Sequence, residues 1–275
     1  MLSHEVRRHC AQIANTARHV RIDLDAPVEL GGVAGLDPEL HFLEGEPEDV
    51  ARYVLILDAI NFGSGYFDEL QTTTDAITER LTAHARAHGP WTADELQAVD
   101  TATVAATLGL EPGHRLSALY AEALNQLGAW LPDNPLGRTA DDLARRLTQM
   151  PFFADHGFYK RAQIAANDLH LARVVDFPDV DELTIFADNL VPHVLRLDGV
   201  LVYDDALAAG VDRREELPAG SPYERELRAC AVHACEALAA RAGVPPRILD
   251  NWLWNRGQHP PYSERPAHIT KTVFY

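Results

Sequence analysis

At 275 residues and 47% hydrophobic composition, the chain can bury a sizeable core, and no apolar run approaches the length needed to cross a bilayer. Its 24 Lys and Arg face 41 Asp and Glu, a formal net charge of −17 that argues against a protein tracking a nucleic-acid backbone while leaving room for one phosphate pocket. The three cysteines, Cys10, Cys230 and Cys235, show no CxxC spacing, and the first twenty residues lack the apolar block of a signal peptide, so no disulfide framework and a cytoplasmic protein are expected.

The predicted elements are mostly helical. "SHEVRRHCAQIANTARHV" carries apolar residues at three- and four-residue steps behind Ser3, a first helix, and "VRIDLD" just after it is the best short strand candidate. "APVELGGVAGLDPELHFLEGEPED" has loop chemistry. A helix is then predicted from Pro47 through "PEDVARYVLILDAINF", followed by "TTTDAITERLTAHARAHG" and "TADELQAVDTATVAATLG", each stopped by a glycine. "RLSALYAEALNQLGAWL", "TADDLARRLTQMP" and "FYKRAQIAANDLHLARVV" continue the series. "TIFADNLVPHVLRLDGVL" also has apolar residues at helical spacing, and "YERELRACAVHACEALAARAG" and "PRILDNWLWNRG" close it. With no repeat, low-complexity tract or convincing linker, the expectation is one all-α globular domain spanning residues 1–275.

Common signatures are missing: no GxGxxG after a strand, no Walker-type GxxxxGK[ST], no GxSxG elbow and no HExxH. The 13 histidines are scattered, and only His84 and His88 stand four apart, on what reads as a solvated helix face. No metal site and no cofactor are predicted.

What remains are three polar insertions into apolar context. In "LILDAINFGSGYF", Asp58 and Asn61 lie near the end of a buried helix with Phe62, Tyr66 and Phe67 crowding the turn beyond. A buried carboxylate needs a partner, either a structural one or the N–H groups of a ligand ring on which the aromatics stack. In "GFYKRAQIAANDL", Lys160 and Arg161 open an apolar helix against the helix dipole, which calls for an anion nearby: a surface carboxylate, a substrate phosphate or a catalytic acid. Asp188, directly after Phe186 and Ala187, is either the N-cap of a helix with Pro192 in its first turn or a reactive carboxylate at a pocket edge.

Asp188 followed by "VPHVLRLDGVL" resembles the catalytic helix of the helix-hairpin-helix DNA glycosylases, in which an Asp stabilises or captures a sugar cation. A wider resemblance covers nearly the whole chain. "LDAINF" (57–62), "FYKRAQIAAND" (158–168), "TIFADNLVPHVL" (184–195), "DNWLWNRG" (250–257) and "HITKTVFY" (268–275) are similar in order and spacing to the hallmark segments of the queuosine salvage proteins, the queuosine 5′-phosphate N-glycosylases. The resemblance implies an all-helical fold related to DNA glycosylases, acting on a free nucleotide, probed most specifically through the Lys–Arg pair after Phe–Tyr and the Phe–Ala–Asp triplet. The reaction it implies is hydrolysis of queuosine 5′-monophosphate to queuine and ribose 5-phosphate without metal or redox cofactor; a monomer is expected.

Residue by residue, the resemblance makes Asp188 the carboxylate that faces the developing charge at the anomeric carbon. Lys160 is placed to pair with Asp188, to grip the phosphate or to help protonate the leaving base. Asp58 and Asn61 read the base edge while Phe62 stacks on it. A 7-deazaguanine has no N7 to protonate, so activation of the leaving base must come through other polar contacts. Arg161, His268, Lys271 and Tyr275 are the phosphate candidates, and Asp250 is placed to face the cavity. Trp252 and Trp254 read as core, Tyr66 as a reserve stacking residue, and Asp198 as an exposed departure from the family pattern. The alternatives are a DNA or RNA base glycosylase, which the charge and the lack of an "LPGVG" segment before Asp188 oppose, and a non-catalytic helical nucleotide-binding protein.

Overall fold

A computed structural model describes residues 1–32 and 35–275; positions 33 and 34 of the predicted long loop lie outside the described residues. In chain order the elements are α1 (Leu2–Ala14), β1 (Val20–Ile22), α2 (Pro47–Ala59), α3 (Phe67–Leu70), α4 (Thr74–His88), α5 (Ala93–Ala98), α6 (Thr101–Leu108), α7 (Arg115–Trp130) and α8 (Ala140–Leu147). They continue with α9 (Lys160–Leu171), α10 (Leu190–Leu197), β2 (Leu201–Tyr203), α11 (Asp205–Asp212), α12 (Pro222–Ala242) and α13 (Pro246–Gly257). The fold is all-α, with β1 and β2 pairing antiparallel in the register Val20–Tyr203, Arg21–Val202 and Ile22–Leu201. The strand read in "VRIDLD" is therefore present, shortened to its first three residues.

The described residues gather into two compact units, each assembled from three stretches of chain. The first comprises Met1–Ala34, Asp155–Gln163 and Asp181–Thr272; the second comprises Gly35–Ala154, Ile164–Val180 and Val273–Tyr275.

In the first unit α1 packs along α12, and α10 packs on both α12 and α13. β1 is held to α12 by Glu226, whose buried Oε2 accepts the backbone N–H groups of Arg18, His19 and Val20 at 3.0, 2.7 and 3.2 Å. Three successive N–H groups aimed at one carboxylate satisfy donors that the short strand leaves outside its ladder. α11, which the sequence reading did not single out, is capped by Asp204, whose Oδ1 accepts from Leu207 N–H at 2.7 Å. The second oxygen of Asp204 lies 2.6 Å from His19 Nδ1.

In the second unit α7 is the central helix, packed against α2, α5 and α6. The stretch "TADELQAVDTATVAATLG" makes two helices where one is predicted. Asp100 is extended and its side chain accepts from Thr103 N–H at 2.8 Å, so it starts a new helix rather than continuing the old one. Thr92 and Glu95 form a capping box at the head of α5.

Candidate active site

The Asp188 segment is built in the first unit. Residues 183–188 form a loop without regular secondary structure, and the helix predicted across "TIFADNLVPHVLRLDGVL" begins only at Leu190, with Pro192 in its first turn as expected. A loop of this kind has no ladder of its own, so its backbone must find partners elsewhere. Thr184 N–H donates to Gln163 Oε1 at 3.0 Å, and Gln163 Nε2 donates back to Thr184 Oγ1 at 3.0 Å. Phe186 N–H donates to Asp250 Oδ1 at 2.8 Å. Ala187 C=O accepts from Arg228 Nε at 2.9 Å.

Asp188 itself is 6% exposed. Its Oδ1 accepts from Leu190 N–H at 2.8 Å and Val191 N–H at 3.0 Å, so it does cap α10, as the plainer of the two sequence readings had it. Among the described residues Oδ2 accepts no hydrogen bond. The two backbone N–H groups at the head of α10 thus fix the orientation of the carboxylate through one of its oxygens.

The turn into α9 supplies Lys160 and Arg161, both buried. Asp155 organises this turn. Its carbonyl accepts from Phe158 and Tyr159 N–H, and its Oδ2 accepts from Lys160 N–H at 3.3 Å, so a carboxylate stands at the start of α9. Tyr159 sits at φ +51°, a left-handed conformation that costs a non-glycine residue about 1–2 kcal/mol and is held by the bonds around it. Gln163 Nε2 also donates to Phe158 C=O at 3.0 Å, so this one amide ties the turn to Thr184. Among the described residues no ion pair joins Lys160 to Asp188, so the direct pairing that the sequence suggested is not how Lys160 is held.

The remaining candidates in this unit take distinct positions. Asp250, on α13, is buried and bonded to Phe186, two residues before Asp188. His268 is 2% exposed and its ring is pushed down to about 3 by burial, then by Arg228 and His193, so it enters any chemistry as a neutral imidazole. Lys271 is half-buried, its Nζ 3.7 Å from Glu216 Oε2. Asp198, read as exposed, is instead half-buried: it accepts from Arg256 Nη1 at 3.0 Å and from Tyr262 O–H at 2.6 Å. Burial and that contact push the Tyr262 phenol up to about 12.

The second unit carries Asp58, Asn61, Phe62 and Tyr275. Asp58 lies in the last turns of α2 and is fully buried, while Asn61 is half-buried just beyond the helix end, its N–H 3.4 Å from Asp58 C=O. Phe62 stands edge-on to Tyr120 at 4.9 Å and tilted to Phe152 at 5.7 Å, and Tyr120 O–H donates to Phe62 C=O at 2.7 Å. Gly63 follows at φ +98° and donates its N–H to Tyr275 C=O at 3.0 Å. A Cβ there would lie 2.5 Å from Leu116 Cδ1, so the turn needs glycine for space as well as for its dihedral. Tyr275 is buried, and Tyr66 packs edge-on to His114 at 5.8 Å.

The His84 and His88 rings lie tilted to each other 5.1 Å apart, with His84 also tilted to Trp91 at 4.7 Å. No group of three or more His, Cys, Asp or Glu side chains among the described residues is arranged to hold a metal. The three cysteines are free and buried, and burial pushes the Cys10 thiol up to about 12.

Sequence comparison places this geometry. The profile of the queuosine salvage proteins matches residues 139–275. The queuosine 5′-phosphate N-glycosylase/hydrolase of Sphaerobacter thermophilus is 31% identical over 312 aligned positions, which take in 96% of this chain and 95% of that protein. The chain belongs to the queuosine salvage protein family. Proteins of the same name from Dictyostelium discoideum (36% identical, 43% of this chain and 40% of that one) and Mus musculus (28%, 50% and 49%) match shorter stretches. The family profile covers the segments that carry Asp155, Lys160, Asp188, Arg228, Asp250 and His268. The Asp58–Phe62 segment lies outside the profile match.

Four residues that organise this candidate site went unread in the sequence: Asp155, Gln163, Thr184 and Arg228. Arg228 had a signal. With Glu224 it falls on the same helical stripe as Ala231 and Cys235, a buried face on which a charged pair has to be explained.

Proposed function

We propose that this chain hydrolyses the N-glycosidic bond of queuosine 5′-monophosphate, releasing queuine and ribose 5-phosphate for queuine salvage into tRNA. The substrate class follows from the near-full-length similarity to a queuosine 5′-phosphate N-glycosylase/hydrolase. The chemistry rests above all on Asp188, a buried carboxylate with one oxygen locked by two backbone N–H groups and the other left open.

As the C1′–N bond breaks, its electron pair leaves with the base and positive charge grows on the ribose. The open oxygen of Asp188 faces that charge and stabilises or captures it; water then adds at C1′, and the departing base nitrogen gains a proton. Fixing the carboxylate beforehand removes the need to reorient it during the reaction, which is the main benefit a rigid cap offers. Lys160 serves as the neighbouring acid or phosphate partner. Asp58 and Asn61 recognise the base edge and Phe62 its face. Arg161, Lys271, Tyr275 and a neutral His268 serve the 5′-phosphate, whose charge-assisted contacts come chiefly from the cations. Asp250 acts on the substrate through the Phe186–Asp188 backbone it holds.

We further propose a single functional domain over residues 1–275, since no one cut of the sequence separates the two units. The same reading takes a monomer in the cytoplasm, with no cofactor and no nucleic-acid polymer as partner; no described helix is long and apolar enough to cross a membrane.

The test is to incubate the protein with queuosine 5′-monophosphate, queuosine and GMP and to follow free base by chromatography, with Asp188→Asn alongside. Queuine release from the monophosphate, lost in the variant, is the expected result. No base released from any of the three substrates would sink the glycosylase reading and favour a binding protein.

A further inference from the structure

Arg228 lies on α12, 2% exposed, with its guanidinium 3.9 Å above the centroid of the Phe158 ring. Its Nε donates to Ala187 C=O at 2.9 Å. Its Nη1 donates to Asp155 Oδ1 at 3.1 Å and to Glu224 Oε1 at 3.2 Å, and its Nη2 donates to Asp155 Oδ2. Asp155 Oδ2 is the same atom that accepts Lys160 N–H. One planar fork thus grips the peptide immediately before Asp188 with one edge. With the other it grips the carboxylate that holds the backbone of Lys160.

We infer that Arg228 is a positioning residue that sets the Asp188 loop against the Lys160 turn for catalysis, an inference that rests on the reading of Asp188 as the group facing the ribose. The chemistry of the side chain supports it. Only a guanidinium presents donors in fixed, divergent directions; an ammonium on a flexible stem is a point charge that can satisfy Asp155 or Ala187 but cannot hold both in register. A buried ion pair of this kind adds little to stability compared with an apolar replacement, whereas it does specify geometry. Among the described residues the same loop is also tied through Thr184, Phe186 and the Asp188 cap, and removing the grip at Ala187 frees the peptide that directly precedes Asp188.

The experiment measures kcat and KM for queuosine 5′-monophosphate in Arg228→Lys, Asp155→Asn, Glu224→Gln and Asp188→Asn, each with its urea unfolding midpoint. Arg228→Lys and Asp155→Asn each remove the register between the two segments, and a displacement near 1 Å costs catalysis about 100-fold. The expected result is a loss of that order in kcat with KM within a factor of about three, since a group made available only in the transition state lowers kcat rather than binding. The double variant should lose little more than either single one, because both break the same brace. Glu224→Gln, which leaves the Ala187 and Asp155 contacts in place, should keep kcat near the parent value.

A folded Arg228→Lys protein with the parent kcat overturns the inference while Asp188→Asn is inactive. Should Arg228→Lys fail to fold, a folded Asp155→Asn with the parent kcat overturns it equally. If Asp188→Asn itself retains turnover, the reading of Asp188 fails, and the inference with it, a result recognisable without any Arg228 variant.

Discussion

Two carboxylates dominate the candidate chemistry, and the chain holds them in opposite ways. Asp58 sits in the last turns of α2, a helix whose backbone satisfies itself and whose end is fixed by the aromatic packing of Phe62 against Tyr120 and Phe152. Asp188 sits at the end of a loop pinned at Thr184, Phe186 and Ala187 by side chains from α9, α13 and α12, and by its own bond to α10. The first segment is packed among buried aromatic rings. The second relies on a few directional bonds, each of which sets an angle.

The sharpest break of this comparison is Asp188→Asn. Asparagine caps a helix about as well as aspartate, so the unfolding midpoint should stay near the parent value while turnover falls on the order of a thousandfold, as for the loss of a principal electrostatic group. A large loss of stability in urea titration would instead make Asp188 mainly a structural carboxylate. The mirror-image change is Phe62→Ala in the other region, expected to cost about 3–5 kcal/mol of stability by removing a core aromatic ring. Its signature in denaturant should exceed that of any single change in the Asp188 segment.

Acid should separate the regions further. The native His268 ring takes up a proton only near pH 3, whereas an unfolded histidine does so near 6.5. Between these values the unfolded state binds more protons, so the protein loses stability as pH falls below 6.5. At pH 5 the loss relative to pH 7 should be about 2 kcal/mol, and His268→Gln should flatten that slope, as read from urea midpoints at the two pH values. The smallest effect is expected from Thr184→Val, which removes the hydroxyl facing Gln163 and should cost about 1 kcal/mol. Its loss in kcat should be proportionally larger than its loss in stability if the loop's angles matter.

Legibility in the sequence follows the same division. Features made by local periodicity were readable: the helices from Pro47 and Arg115, the stop at Gly109, and the polar residues Asp58, Lys160 and Asp188 standing in apolar surroundings. The split between α5 and α6 was missed because a side-chain cap at Asp100 outweighs continuous helical spacing. α11 was missed because "DALAAGVD" spans only eight residues. The pins on the Asp188 loop were hidden for a different reason. Gln163 and Thr184 make bonds whose partners are 21 residues apart, and nothing in either neighbourhood announces the other.

The brace around Arg228 also has a consequence in time. Its bonds close over sequence separations of 41 residues to Ala187 and 73 to Asp155, and the Phe186–Asp250 bond closes over 64. Helices order from neighbouring residues within about a microsecond, whereas long loops close only after their ends have found each other. During refolding, α10, α12 and α13 therefore regain their backbone structure before the segment between Leu183 and Asp188 acquires its final course. Recovery of turnover should lag behind recovery of helical circular dichroism, and an intermediate in that interval would be nearly native in helix content and catalytically silent.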